Sequence, residues 1–384
     1  MICQELFAHS HVGRRLLQVD YRIDGKRIFK RFSTLRAAKE HFQGVEAAKA
    51  GGTLIDTRKS GKMRFHDLYQ EWIQRIETSG AGGARPASPV TVAGYRRIYK
   101  THIQPHFENR PLAQITLPVV NEWLTTFQSD DSRRRSYRQL GRMLQHAVDR
   151  GYIATNIARN PTVNNIPTPE PVREGNALTA GQLRMLAAEC ARGGRYDGKS
   201  HDSYGLLILF AGTTGLRWSE IAGLRKSSLT LGSRSEVRVQ STLVTVDGRQ
   251  QLRETTKGRR PRTVPIPETV ASVLATHIGG ASDGALVFTS PSGRELRASN
   301  FVRRVFHPAI ERCQAADSSF PPIIFHDLRR TAVSLAISGN ANVKVVQQIA
   351  GHKSAVTTMD VYAHYYEDDL HSSAQAVDRL LSAG

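Results

Sequence analysis

The sequence predicts a multidomain, mainly α-helical protein with small β-sheets, and three observations carry that prediction. At 384 residues the chain exceeds the usual size of one domain and has room for two or three cores. Its hydrophobic residues alternate with a period of two in only two places, and elsewhere they recur with helical spacing. Polar stretches at 55–62 and 161–175 interrupt the pattern and read as linkers. The expected domains are 1–60, a small N-terminal sheet with one helix; 63–160, a helical bundle; and 175–384, a larger α+β domain.

In the first domain Leu17, Val19, Tyr21 and Ile23 alternate with Gln18, Asp20, Arg22 and Asp24, the signature of a half-buried strand. Asp24-Gly25 supplies a hairpin turn, KRIFKRF returns, and Thr34 is placed to cap a helix reaching about Ala50. The second domain offers four helical segments: FHDLYQEWIQRI, VTVAGYRRIYKTHIQPHF, LPVVNEWLTTF and RRRSYRQLGRMLQHAVDRG. In the third, helices are expected from Thr179 and Ser203, with a break at Gly215 and a restart at Ser219–Glu220 that leaves Arg217 at a helix entrance. VRVQSTLVTV, a turn at Asp247-Gly248 and the run through LRETTKGRRPRTVPIP predict a β-meander with Lys257 in or beside a turn. HDLRRTAVSLAISGN and NVKVVQQIAGHKS then read as helices closed by Gly339 and Gly351.

Composition narrows the partners. The chain holds 53 Lys+Arg against 34 Asp+Glu, a net charge of +19, and residues 1–60 alone hold 12 against 6, or +6. Such an excess favours a polyanion, because every neutralised phosphate releases condensed counterions. Nucleic acid is the leading partner, although anionic membrane surfaces and ribosomal RNA fit the same charge, and the candidate contacts to double-stranded DNA are Lys26, Arg27, Lys30 and Arg31 on the ribbon, Arg96, Arg97 and Lys100 on one helix, and Arg134 and Arg138 on another, where Arg133, Arg135, Arg142 and Tyr137 also crowd. No apolar run is long enough to cross a bilayer, and MICQELFAHSHVGRR lacks the pattern of a secretory signal, so a cytoplasmic location is expected. Cys3, Cys190 and Cys313 form neither a paired metal motif nor a disulfide framework. His326 and His352 lack the companions of a zinc site, so no metal is expected.

Five segments, GLRWSEIAGL, TKGRRPRTVPI, HDLRRTAVS, IAGHKS and TTMDVYAHY, follow one another over residues 215–365. Their order and separations resemble the catalytic segments of tyrosine recombinases, the phage integrase family. On a looser pattern, 63–160 resembles that family's core-binding domain and 1–60 its arm-type DNA-binding domain. The resemblance implies a catalytic set of Arg217, Lys257, His326, Arg329, His352 and Tyr362, and a reaction that needs neither ATP nor another cofactor. Arg217 and Arg329 would clamp phosphate oxygens with planar forks that stay charged at any working pH. The Tyr362 phenol, with an unperturbed pKa of about 10, would attack the phosphate and form a 3′-phosphotyrosyl bond; His326 would be its base, Lys257 the acid for the leaving 5′-oxygen, and His352 a ligand of the transition state. Tyr365 and Tyr366 are near competitors, and Tyr362 is preferred for its place ten residues after His352.

The function implied is site-specific integration, and excision, of a mobile element such as a prophage. Because strand exchange joins two duplexes by four cuts, a homotetramer on attachment-type DNA sites is expected, with accessory DNA-bending and directionality proteins as further partners. The tail after Tyr362 places Leu370, Ala374, Val377, Leu380 and Leu381 at helical spacing, suited to packing in cis or on a neighbour. A chromosome-dimer resolvase or transposon recombinase of the same chemistry, a type IB topoisomerase and a non-catalytic DNA-binding regulator are the alternatives.

Overall fold

The computed structural model describes residues 7–11, 14–23, 26–51, 63–80, 85–164, 166, 176–192, 201–254, 261–351 and 381–382. Among them the chain forms two compact units, 1–170 and 171–384.

The alternating N-terminal residues form strands β2 (Arg14–Ile23) and β3 (Lys26–Phe32), paired antiparallel with Val19 opposite Lys30 and Tyr21 opposite Ile28. A third strand, β1 (Phe7–His11), flanks β2; its FAHSH sequence has no apolar alternation to announce it. Helix α1 (Leu35–Ala50) starts where predicted, with the Thr34 hydroxyl accepting from the Ala37 N–H at 3.3 Å. It covers one sheet face, burying Val19 and Ile28 together with Ala38 and Val45.

The bundle is built from α2 (Phe65–Thr78), α3 (Pro89–Ile98), α4 (Gln104–Phe107), α5 (Leu117–Thr125) and α6 (Asp130–Asp149). Leu68, Trp72 and Ile76 recur every four residues along α2 and are buried with Val120, Trp123, Leu140 and Leu144. Pro105 cannot donate an N–H inside a helix, and the single wide π-turn at Tyr99–Ile103 lets α3 run on into α4 around it. A second π-turn, Val302–Phe306, stands just before Pro308 in the other unit.

That unit contains α7 (Ala180–Ala191), α8 (Asp202–Thr214), the short α9 (Trp218–Ala222), α10 (Glu268–His277), α11 (Ala298–Phe301), α12 (His307–Ala316), α13 (Asp327–Ser338) and α14 (Val343–Ala350). Thr179 and Gln182 make a reciprocal capping box at α7, and Asn342 caps α14. The expected single meander is instead divided. β4 (Leu229–Thr230), β5 (Glu236–Val239) and β8 (Arg262–Pro265) form one antiparallel sheet, while β6 (Ser241–Val246) and β7 (Arg249–Glu254) form a separate hairpin. The division falls at Gln240: Val237 and Val239 before it and Val264 of β8 across from them are buried in the core of this unit.

Candidate active site and nucleic-acid faces

Helix α8 ends at Gly215 in the left-handed conformation, φ 63°. A Cβ there would sit 3.2 Å from Ile349 and 3.4 Å from Ala332, so the turn requires glycine on both conformational and steric grounds. The turn buries Leu216 and delivers Arg217 to the N-terminus of α9. One turn on, Glu220 is 2% exposed and points back at that entrance. Its carboxylate accepts the Arg217 backbone N–H at 2.8 Å and the Arg217 Nη1 at 3.3 Å. It also accepts both terminal nitrogens of Arg262, from the first residue of β8, at 2.9 and 2.8 Å. Burial alone pushes the Glu220 carboxyl up, but the Arg262 fork and then the Arg217 N–H and charge outweigh it and hold the group down at about 2.

Opposite stands α13. Arg329 lies on its first turn, 5% exposed, and donates from Nη1 to the Gly215 carbonyl at 2.9 Å. The same turn that aims Arg217 is thereby bonded to Arg329. His326 precedes α13, open to solvent on one side. Desolvation on its other side, and then the charges of Arg329 and Arg217, lower its pKa against the opposing pull of Asp327, which favours a neutral imidazole at neutral pH. Arg217, His326 and Arg329 line one cleft of about 330 Å³ with Leu216, Trp218, Val302, His307, Ile324 and Phe325. Trp218 is wedged between Phe301 and Phe325, with ring centroids 5.1 and 4.9 Å away, which fixes the wall beside Arg217. A cleft with two guanidinium groups and a neutral imidazole can bind a phosphodiester, stabilise charge on its oxygens and accept a proton.

Three of the six expected catalytic residues therefore come together. The other three, Lys257, His352 and Tyr362, lie outside the described residues, as does most of the tail that follows, but two of them are tethered to described positions. The Lys257 segment leaves β7 at Glu254, opposite Ser241, and re-enters β8 at Arg262, opposite Val239. His352 follows Gly351, which closes α14 with φ 51°. Among the described residues no group of three or more His, Cys, Asp or Glu is arranged to hold a metal ion, and no helix is long and apolar enough to cross a membrane.

The candidate DNA contacts divide more finely than their spacing implied. On β3 the two-residue period separates Lys30, across from buried Val19 on the α1 side, from Arg27 and Arg31 on the free side. Arg27 pairs with Asp20 at 2.7 Å, and Arg31 lies over the Phe29 ring at 5.6 Å, leaving Phe29 56% exposed between two arginines. Lys26 opens the strand opposite Ile23. On α6, Arg133 and Arg135 are engaged by Asp130 and Asp131 of the first turn, whereas Arg134, Arg138 and Arg142 follow at four-residue intervals along one stripe. Arg138 and Arg142 line a groove of about 520 Å³ with Arg75, Tyr95 and Arg159. Arg97 and Lys100 are exposed, and Arg96 pairs with Glu77.

Sequence reasoning missed Arg262. The signal was present, because alternation through RTVPI puts Arg262 on the face of Val264 and Ile266, both buried. A cation on a core-facing position demands a buried anion, and Glu220 is that anion.

Residues 176–368, just over half of the chain, match the phage integrase family. The integrase of Mycobacterium phage D29 is 25% identical over 272 residues, which cover 67% of each chain. Tyrosine recombinase XerC of Mycobacterium tuberculosis (strain ATCC 25177 / H37Ra) is 28% identical over 263 residues, 66% of this chain and 80% of the relative. The fold is like that of the Tn1549 transposon integrase in complex with a circular intermediate DNA, with a TM-score of 0.63 and 19% identity over 82% of this chain and 100% of that one. It is also like that of a lambda integrase tetramer bound to a Holliday junction, with a TM-score of 0.53 and 17% identity over 87% and 89%. The chain belongs to the phage integrase family and is a tyrosine-type site-specific recombinase.

Proposed function

We propose that this recombinase integrates and excises a mobile element such as a prophage, and that the cleft of Arg217, His326 and Arg329 is where it cuts DNA. The convergence of those three side chains carries the reading. In it, Arg217 and Arg329 grip the non-bridging oxygens of the scissile phosphate, His326 takes the proton of the Tyr362 phenol as that oxygen attacks, Lys257 protonates the departing 5′-oxygen, and His352 supports the transition state. The 3′-phosphotyrosyl bond conserves the phosphodiester energy for attack by a second DNA end. Metal and ATP have no step to perform.

The division into 1–60, 63–160 and 175–384 belongs to the same proposal. The bundle would hold the core site through the Arg134–Arg138–Arg142 stripe, and the N-terminal sheet would reach a second, arm-type site through Arg27 and Arg31. That sheet favours the mobile-element role over a chromosome-dimer resolvase of the XerC kind, which would need only the two-domain clamp. The assembly on paired sites would be a homotetramer in the cytoplasm, where the tetramer of lambda integrase on a Holliday junction is the supporting precedent. Sedimentation with and without attachment-type DNA tests this; a strict monomer on such DNA excludes it.

Covalent trapping tests the reaction. Full-length protein is incubated with duplexes from either end of its element, nicked near each candidate crossover, and protein–DNA adducts resistant to SDS are measured. An adduct with the wild type that disappears in Tyr362→Phe is the expected result. Tight binding with no adduct at any nick position favours a DNA-binding regulator, and plasmid relaxation without recombinant product favours a topoisomerase.

A further inference from the structure

The buried ion pair beneath Arg217 has a stoichiometry that its packing alone does not explain. One carboxylate, Glu220, faces two guanidinium groups. They share it unequally: Arg262 spans both oxygens at 2.9 and 2.8 Å, whereas the Arg217 side chain touches one oxygen with one nitrogen at 3.3 Å. Short parallel contacts are the strong form of this interaction, and the long single contact is the weak one. Arg262 therefore satisfies most of the Glu220 charge. The Arg217 backbone is meanwhile held by the 2.8 Å bond from its own N–H, so its main chain is fixed while its guanidinium is only lightly held.

Arg262 also touches a third segment. A Cβ on Gly351 would fall 3.0 Å from the Arg262 Nε and 3.2 Å from its Cζ, so the guanidinium lies against the bare backbone at the end of α14. The Nε is buried there and has no hydrogen-bond partner among the described residues. The left-handed turn at Gly351 thus seats the residue before His352 on the side chain that neutralises Glu220.

We propose that Arg262 is a positioning residue for DNA cleavage: it neutralises Glu220 so that the Arg217 guanidinium stays available to the substrate phosphate, and it seats the end of α14 beside the same ion pair. This rests on the reading of Arg217 as a phosphate ligand. Without Arg262, the buried carboxylate would have Arg217 as its remaining cationic partner among the described residues, and an uncompensated buried charge is costly enough to draw that fork away from the cleft.

The test compares full-length wild type, Arg262→Gln, Arg262→Lys and the double variant Arg262→Gln/Glu220→Gln. Each is assayed for the rate of covalent adduct formation on one nicked duplex and for affinity toward that duplex. Arg262→Gln is expected to bind like wild type and to cleave roughly 100-fold more slowly, the scale for losing one transition-state donor. The double variant should regain about tenfold of that loss, because the charge that captures Arg217 is gone while a Gln oxygen can still accept its N–H. Recovery on removing a second group separates positioning from simple damage to the fold.

Cleavage by Arg262→Gln within about threefold of wild type, a double variant slower than the single one, or affinity falling in step with rate would each overturn the proposal. If Arg262→Gln does not fold, Arg262→Lys decides: an ammonium carries the charge but cannot span both oxygens, so a rate about tenfold lower is expected, and a wild-type rate overturns the idea. A wild type that forms no adduct at any nick sinks the catalytic reading itself, and the role of Arg262 with it.

Discussion

Among single residues, Glu220 sets the most sharply testable stability term. Its carboxyl sits at about 2 in the fold against an ordinary 4.5, so the stability it contributes is fully present above pH 4.5 and is lost as the pH falls through 2. The contribution is on the order of 3 kcal/mol. Glu220→Gln should be less stable than wild type by that order at pH 7 in urea unfolding, and the gap should close between pH 4.5 and about 2; a gap that is constant with pH refutes the assignment. Gly351→Ala probes the neighbouring contact. Forcing a Cβ into a left-handed residue costs about 1–2 kcal/mol, and here it also meets Arg262 at 3.0 Å, so the melting temperature should fall. At this scale the sequence was legible wherever a motif marked the residue. Arg217 and Arg329 could be found that way; Arg262 could not, because in KGRRPR it stands among cations and only the alternation of the following strand distinguishes it.

Among elements, the N-terminal sheet shows what pattern can and cannot deliver. Alternation placed β2, β3 and the Thr34-capped helix within a few residues, since burial of one face leaves little freedom of register, while the expected turn at Asp24-Gly25 lies outside the described residues. The flanking β1 has no apolar alternation in its sequence to mark it, and the pairing of β5 with β8 joins residues more than twenty apart that no local pattern connects. The split of cations between the two sheet faces gives a prediction. Replacing Arg27 and Arg31 by Gln should reduce the slope of log affinity against log salt for arm-type DNA by about 0.9 for each phosphate that is no longer neutralised, while Lys30→Gln leaves it unchanged. Phe29→Ala should weaken binding without changing that slope, because the exposed ring carries no charge. Equal salt effects of Arg31→Gln and Lys30→Gln would dismiss the free-face reading.

For the whole molecule, the two compact units have separate cores, one around Trp72 and Trp123 and the other around Phe210 and Phe288. Residues 171–384 expressed alone should therefore unfold in one cooperative calorimetric transition; a broad, non-cooperative loss of structure would mean that the unit depends on the rest of the chain. The pairing of strands in that unit has a further consequence. Glu254 stands opposite Ser241 and Arg262 opposite Val239, so the segment bearing Lys257 begins and ends at positions that flank the single residue Gln240. Its two ends are brought together by the sheets, and doubling the length of such a loop costs only about 0.6 kcal/mol in closure entropy. The ends of the segment bearing the proposed acid are thus set by the surrounding framework, so inserting residues between Glu254 and Arg262 should leave the melting temperature of that framework nearly unchanged.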